Sequence, residues 1–121
     1  MILICVKWKI KPEYADQWPE IAKDFTESTR AEPGNRFFDW SRNIEDPNEY
    51  VLIEAFDDDA AGAHVTSDHF KRAQAELPQY VQETPLIRNW QNQQDEWWWW
   101  GSTRAVPARY RRPAGCTGSR T

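Results

Sequence analysis

The segment Glu45-Asp46-Pro47-Asn48 separates two stretches rich in aromatic and branched side chains, and this arrangement limits the possible folds of the 121-residue chain more than any other feature. Residues 36–43 (RFFDWSRN) and 49–56 (EYVLIEAF) each have the length and composition of a β-strand. A short connection built from Asp, Pro and Asn is typical of a turn. The two stretches are therefore predicted to form an antiparallel β-hairpin.

A strand and a helix are predicted on either side of this hairpin. Residues 2–10 alternate between apolar and charged side chains near their end, which indicates a first strand, and residues 86–94 indicate a weaker last strand. The order strand, helix, strand, strand, helix, strand is that of a ferredoxin-like βαββαβ domain of the α+β class. It predicts a four-stranded antiparallel sheet with both helices on one face.

Both predicted helices contain an irregularity. The first begins after Lys11-Pro12, and Pro19 inside its pattern predicts a kink or a late start of the regular helix. The second covers residues 58–77, where Ser67 is expected to cap the second half and Thr66-Ser67 to break the helix. The first helix has an apolar stripe that would face the sheet: Tyr14, Trp18, Ile21 and Phe25.

Two helices cover only one face of such a sheet, but three of its strands are apolar on both faces. This holds for Ile2-Leu3-Ile4, Phe37-Phe38 and Val51-Leu52-Ile53. Burying one large apolar side chain stabilises a fold by roughly 1.5–3 kcal/mol, so the second face needs a cover. A second copy of the sheet in a two-fold homodimer is the favoured cover. The alternative is that the C-terminal tail folds back over the sheet.

Composition and charge change abruptly near residue 97. All 19 acidic residues precede this position, whereas residues 97–121 begin with four tryptophans and contain five arginines and no acid. We therefore divide the chain into a domain at 1–96 and an atypical tail at 97–121, which lacks the periodicity of a packed element and is expected to be irregular. The composition of the tail resembles that of a GC-rich gene translated out of frame. Five arginines beside an acidic domain are too few to predict nucleic-acid binding.

Several classes of protein are excluded on composition. No apolar run approaches the ~20 residues needed to span a bilayer, and no secretory signal opens the sequence, so neither a membrane partner nor export is expected. Cys5 and Cys116 are far apart, which argues against a disulfide scaffold or a zinc finger and fits the reducing cytoplasm. Asp57-Asp58-Asp59 is interpreted as the solvated start of the second helix, and no metal site is expected.

Five short segments stand out in the sequence: Lys11-Pro12-Glu13, Ala31-Glu32-Pro33-Gly34, Asp46-Pro47-Asn48-Glu49-Tyr50, Glu54-Ala55-Phe56 and His64-Val65-Thr66-Ser67-Asp68-His69-Phe70. Together they resemble the antibiotic biosynthesis monooxygenase family and, more narrowly, its small bacterial quinol monooxygenases. The resemblance covers about residues 1–96 and leaves the tail unmatched. It implies a dimeric α+β barrel that oxygenates a small phenolic or quinol-like aromatic substrate with O2 and needs no flavin, haem, metal or other cofactor.

The two histidines of the chain, His64 and His69, are the candidate catalytic bases. An imidazole titrates near pH ~6.5 and is suited to removing a phenolic proton. Both lie in a segment that carries the resemblance, and we expect His64 to point into the pocket between helices and sheet. The predicted break at Thr66-Ser67 means that the two rings need not share a face. In the alternative interpretation both histidines only cap or pack.

Aromatic and charged side chains on neighbouring strands are candidates for binding a flat substrate. Alternatively, the aromatic residues belong to the core or to the dimer interface. Glu54 is a half-buried carboxylate that needs a partner; Arg42 is the favoured one, and orientation of a histidine ring is the alternative. The candidate substrate-binding residues are Phe38, Trp40, Arg42, Tyr50, Glu54 and Trp90, of which Trp90 would form a pocket wall.

Two other functions are alternatives to a quinol monooxygenase on the same fold. A dimeric barrel with the same fold can bind a small molecule or act in a stress response without catalysis. Haem degradation, which relatives of the family perform, is not expected, because Gln74 stands at the helix position of their iron ligand and residues 2–10 contain no asparagine.

Overall fold

The computed structural model of the chain describes residues 1–91 and Trp97. Two short 3-10 helices, Pro12–Gln17 and Leu77–Tyr80, accompany the regular elements. Residues 92–96 and most of the predicted tail lie outside the described residues, so the prediction of an irregular tail stays untested. In chain order the elements are β1 (Ile2–Lys9), α1 (Trp18–Ile21), α2 (Lys23–Arg30), β2 (Asn35–Arg42), β3 (Glu49–Phe56), α3 (Ala61–Val65), α4 (Asp68–Glu76) and β4 (Leu86–Gln91).

The four strands form one sheet in the order β2-β3-β1-β4. Every neighbouring pair is antiparallel, and β2 and β3 form the predicted hairpin, in which Phe38 lies opposite Glu54. This arrangement confirms the ferredoxin-like α+β fold. The last strand is described from Leu86 to Gln91, and the remaining residues of its prediction, 92–94, lie outside the described residues.

The irregularities in the helices are where the sequence places them. The α-helical part of the first helical region begins at Trp18, with Pro19 in its first turn, and is preceded by a 3-10 helix. The second region is interrupted between α3 and α4, where the Ser67 hydroxyl accepts a hydrogen bond from the Phe70 amide over 3.2 Å. Within the described residues α4 is the longest α-helix, with nine residues, and none has the length and apolar character needed to cross a membrane.

The core lies between the helices and one face of the sheet. Its largest fully buried side chains include Trp18 from α1, Phe38 from β2, and Leu52 and Phe56 from β3. Trp18 packs between Trp8 and Trp40, at ring-centroid distances of 5.4 Å and 5.7 Å. Because residues directly opposite each other in an antiparallel pair share a face, Glu54 is on this helix-facing side together with Phe38.

The other face of the sheet carries large apolar side chains that are only partly covered in the single chain, together with charged ones such as Lys7, Asp39 and Arg88. Ile53, Leu86 and Trp90 are there, and 44%, 65% and 49% of their surfaces are exposed. The Trp97 ring lies 6.1 Å from the ring of Phe37 on the same face. We call this side, with Leu3, Cys5, Phe37, Val51, Ile53, Leu86 and Trp90, the open face.

Candidate active site

A cavity of about 660 Å³ lies between the helices and the sheet. Its walls are mostly apolar, and its polar groups are at two levels. Glu54 and His64 are buried, whereas Gln74, Glu83 and Thr84 are exposed and therefore mark the entrance. A volume of this size is typical of a small-molecule site. The apolar walls include Ile4, Val6, Trp8, Leu52, Phe70 and Leu77.

His64 occupies the boundary between this cavity and the partly buried carboxylate of Glu32. Its Nδ1 atom lies 2.7 Å from Glu32 Oε2, and its Nε2 atom lies 3.7 Å from Glu54 Oε1. Aromatic rings hold the imidazole, with the centroid of Phe56 at 4.8 Å and that of Phe25 at 5.8 Å. The Nδ1 edge thus faces Glu32, while the Nε2 edge faces Glu54, which lines the cavity.

Close packing of the backbone after α2 puts Glu32 beside α3. The Gly34 carbonyl accepts a hydrogen bond from the Asp57 amide over 2.9 Å. A Cβ atom on residue 34 would lie only 2.1 Å from the Cβ of Ala60, so this approach requires glycine. The Glu-Pro-Gly segment therefore brings its carboxylate to the helix that carries His64.

The second histidine binds the same carboxylate oxygen. His69 Nε2 lies 2.7 Å from Glu32 Oε2, and the two imidazole centroids are 6.0 Å apart. The helix break at Ser67 makes this possible, because α4 starts in a new direction and His69 lies in its first turn. Glu32 thus joins two histidines on different helices.

The hydrogen bonds determine which nitrogen of His64 carries its proton when the ring is neutral. An ionised carboxylate only accepts, so Nδ1 must donate to Glu32 and Nε2 keeps its lone pair. Burial lowers the pKa of His64 below its ordinary value, although the hydrogen bond with Glu32 and its negative charge act in the opposite direction. A neutral ring with a free Nε2 beside the cavity can accept a proton from a bound molecule.

Glu54 is a buried acid that has no ion-pair partner of fixed charge among the residues that the structure describes. Burial raises the pKa of Glu54 to about 8, and the negative charge of Glu32 adds to this effect. Its carboxyl group is therefore mostly protonated at neutral pH and can donate a hydrogen bond. The 3.7 Å separation from His64 Nε2 is longer than a hydrogen bond, so both groups stay available to a ligand.

Glu32, His64 and His69 are also residue types that bind transition metals, and their ligand atoms lie within 4.8 Å of one another. The two 2.7 Å separations are hydrogen-bond distances. Tetrahedral zinc, with bonds of about 2.0–2.2 Å, holds neighbouring ligand atoms roughly 3.3–3.5 Å apart. The three side chains would have to separate before they could hold such an ion.

Most of the predicted aromatic binding residues belong to the core beside the cavity. Phe38 is fully buried and packs on Phe25, and the Trp40 Nε1 atom donates to the Thr26 hydroxyl over 2.9 Å. The Tyr50 hydroxyl donates to the Ala15 carbonyl over 2.9 Å. Of the eight predicted site residues, only Glu54 and His64 line the cavity within the described part of the chain.

The predicted ion pair between Arg42 and Glu54 is wrong. Arg42 lies opposite Tyr50, four residues along the strand from the position that faces Glu54, and its guanidinium binds Asp16 over 2.9 Å. Glu54 instead lies beside a histidine, as in the alternative considered from the sequence. The shared face was identified correctly, but face alone does not specify the position along the strand.

Trp90 is placed differently from its predicted role as a pocket wall. It lies opposite Leu3 in the pairing of β4 with β1, and therefore on the open face, away from the cavity. Arg88, two residues earlier in β4, shares this face. Ile87 points instead to the helix-facing side and lines the cavity. The sequence pattern of this strand was too weak to show which alternate residues face inwards.

The sequence analysis did not identify Glu32 as a site residue. It lies 32 residues before His64 and beyond the end of α2, so no periodicity connects them. The one available signal was its position in the Glu-Pro-Gly segment that resembles the family.

The antibiotic biosynthesis monooxygenase family model matches residues 1–76, more than half of the chain. The chain therefore belongs to the antibiotic biosynthesis monooxygenase family, as the sequence resemblance indicates. A curated relative from Bacillus subtilis (strain 168), named "Putative monooxygenase YcnE", is 31% identical over 72 residues, which are 59% of this chain and 76% of the relative.

Solved structures share the fold. A crystal structure of an antibiotic biosynthesis monooxygenase is 25% identical, with a TM-score of 0.68 over 76% of this chain and 98% of that protein. A structure from Nitrosomonas europaea, named "Putative antibiotic biosynthesis monooxygenase", is 23% identical, with a TM-score of 0.70 over 78% of this chain and all of that protein. The second likeness concerns the fold alone.

Proposed function

We propose that the chain is a cofactor-independent monooxygenase that oxidises a small phenolic aromatic substrate with O2, and that His64 is its base. The family supports a monooxygenase-like activity. The observation that carries the proposal is the position of His64, with Nδ1 bound to Glu32 and Nε2 beside the cavity. His69 binds Glu32 but does not itself line the cavity, so we assign it as a positioning residue.

In the first step the substrate hydroxyl transfers its proton to His64 Nε2. Glu32 stabilises the resulting imidazolium through the Nδ1–H hydrogen bond, in the manner of a carboxylate that supports a catalytic histidine. The apolar walls exclude water, which strengthens these interactions. The phenolate that remains is an electron-rich ring capable of reducing O2.

The oxygenation then needs no external reductant. A ring carbon of the phenolate that carries hydrogen forms a bond to O2, and His64 returns its proton to give a hydroperoxide. Loss of the hydrogen on that carbon as a proton, with cleavage of the O–O bond, leaves a quinone carbonyl and releases water. One atom of O2 enters the product and the other enters water, so atoms and electrons balance for phenol plus O2 giving quinone plus water.

Oxygen uptake with a panel of hydroquinones and naphthols tests this proposal. We expect stimulated uptake by the wild type, at least a hundredfold lower kcat for His64→Ala, consistent with loss of a general base, and label from 18O2 in the quinone. Glu76→Gln, which changes an exposed acid on α4, is the matched control for Glu32→Gln, and only the latter should reduce kcat. Uptake that is unchanged in His64→Ala would refute His64 as the base.

A non-catalytic binding protein is the second candidate, because the cavity by itself can hold a small ligand. It predicts saturable binding of the same phenols without oxygen uptake above the blank. For either function, monooxygenase or binding protein, we propose a cytoplasmic location, where the free thiol of Cys5 would stay reduced.

A further inference from the structure

Two polar groups at the buried end of the cavity lie side by side and have complementary roles. His64 Nε2 is an acceptor, because Nδ1 donates to Glu32, and the Glu54 carboxyl is the neighbouring donor at 3.7 Å. Both residues line the cavity and are at least 95% buried. Since the separation is too long for a hydrogen bond between them, each can bind a different atom of one ligand.

We propose that the site selects uncharged aromatic substrates that have two oxygen atoms on adjacent ring carbons. One oxygen, as a hydroxyl, donates to His64 Nε2, and the neighbouring hydroxyl or carbonyl oxygen accepts from Glu54. This inference deepens the proposed function and rests on it for its chemical purpose, since the first hydroxyl is the one that loses its proton.

The spacing favours adjacent oxygens over opposite ones. Oxygens on neighbouring carbons are about 2.7 Å apart, the length of an O–H···O hydrogen bond, so two roughly parallel hydrogen bonds can reach protein atoms 3.7 Å apart. In a 1,4-diol the oxygens are at opposite ends of the ring. If one reaches His64, the other points towards the apolar walls or the entrance, and Glu54 is left without a partner.

The lining also favours a substrate without negative charge. Its ionisable residues in the described part of the chain are Glu54, His64 and Glu83, and it contains neither lysine nor arginine there. Glu83 is exposed at the entrance, so a carboxylate or sulfonate on the ring would meet a negative charge and lose its hydration without compensation. The substrate is therefore expected to be a neutral diol or hydroxy-ketone.

Titration calorimetry under nitrogen with naphthalene-1,2-diol and naphthalene-1,4-diol tests the inference without oxidation. We expect the wild type to bind the 1,2-diol about three- to tenfold more tightly, the effect of one additional hydrogen bond. Glu54→Gln keeps a donor and should retain this preference. Glu54→Leu removes the donor and should bind both diols equally, while 1-naphthol binding shows that its cavity is intact.

Equal or tighter binding of the 1,4-diol by the wild type overturns the inference, as does an unchanged preference in a folded Glu54→Leu protein. The comparison of the two diols on the wild type tests the inference even if Glu54→Leu does not fold. Oxygen uptake with the same diols, corrected for uncatalysed oxidation, tests the proposed function separately. Oxidation without a preference for the 1,2-diol contradicts only this inference. Preferential binding of the 1,2-diol without oxidation contradicts only the monooxygenase function.

Discussion

Burial determines the charge of Glu54. The carboxyl lies on the helix-facing side of β3, where 96% of its surface is removed from water and the neighbouring polar groups are His64 and the negatively charged Glu32. Neither offers a fixed positive charge, so the neutral acid is favoured. The same residue on the open face would be an ordinary ionised glutamate.

We predict that replacing Glu54 with Gln stabilises the protein increasingly as the pH rises from 6.5 to 8.5. Folding raises the pKa of Glu54 from 4.5 to about 8, so in this window the folded state retains a proton that the unfolded state has lost. The unfolding free energy of the wild type therefore falls with pH, and Gln, which resembles the neutral acid, lacks this loss. Each pKa unit corresponds to about 1.4 kcal/mol, so the difference should reach a few kcal/mol.

Urea unfolding of both proteins at several pH values measures this difference. The pH window begins at 6.5 so that the titration of His64 does not contribute. Because folding lowers the pKa of His64, this residue reduces the unfolding free energy only as the pH falls through its ordinary value of 6.5 and below. Parallel stability curves for the two proteins would show that Glu54 is ionised in the folded state throughout.

The connections between elements position the two histidines on Glu32. The break between α3 and α4 is stabilised by Ser67, whose hydroxyl accepts from the Phe70 amide and donates to the His64 carbonyl over 2.6 Å. The turn after α2 is stabilised by contact between Gly34 and Ala60. Each of these contacts can be altered by substituting a residue that does not itself line the cavity, namely Gly34, Ala60 or Ser67.

We expect Gly34→Ala to destabilise the protein by about 1–3 kcal/mol, the usual effect of an overpacked contact. The added methyl group would lie 2.1 Å from the Ala60 Cβ. Removing that atom in Gly34→Ala/Ala60→Gly should restore part of the loss, which thermal unfolding of the four proteins in a double-mutant cycle measures. A single variant as stable as the wild type would mean that the two segments do not approach so closely.

Ser67→Ala should lower the unfolding free energy by about 0.5–2 kcal/mol through loss of the helix cap. Ser28→Ala is the matched control, since Ser28 is a half-buried serine in the interior of α2 that caps no helix and its contact with Asp24 is long, at 3.4 Å. Its effect should stay within about 0.5 kcal/mol. If denaturant unfolding gives equal losses for both variants, the cap contributes nothing specific.

At the level of the whole molecule, the open face is the main unpaired surface of the described chain. Ile53 at its centre and Leu86 and Trp90 at the β4 edge leave apolar area in water that a two-fold partner would cover. The contact of Trp97 with Phe37 is restricted to the β2 edge of this face. We therefore retain the homodimer as a proposal.

Sedimentation equilibrium of the native protein at micromolar concentration should give about twice the chain mass of 14.3 kDa. Ile53→Lys places a charge at the centre of the open face, opposite Asp39 on β2, and should shift the equilibrium to monomer, because removing even a paired charge from water is costly. Gln79→Lys adds the same charge at an exposed position after α4 and should leave the mass unchanged. A wild-type mass of one chain would eliminate the dimer.

Local pattern was sufficient to predict the elements. The bounds of β3, the late helix start at Pro19 and the cap at Ser67 were all predicted, because strand alternation, proline geometry and capping depend on residues close in sequence. The faces of β2 and β3 followed from the same alternation.

The active-site assembly depends on contacts between distant residues, and only the tertiary structure decided it. Glu32 meets His64 because Gly34 packs on Ala60, and Glu54 lies beside His64 and not Arg42 because strand register sets positions along the sheet. No short-range rule specifies either contact. Sequence thus determined the elements and their faces, while packing and register determined which polar side chains lie together at the cavity.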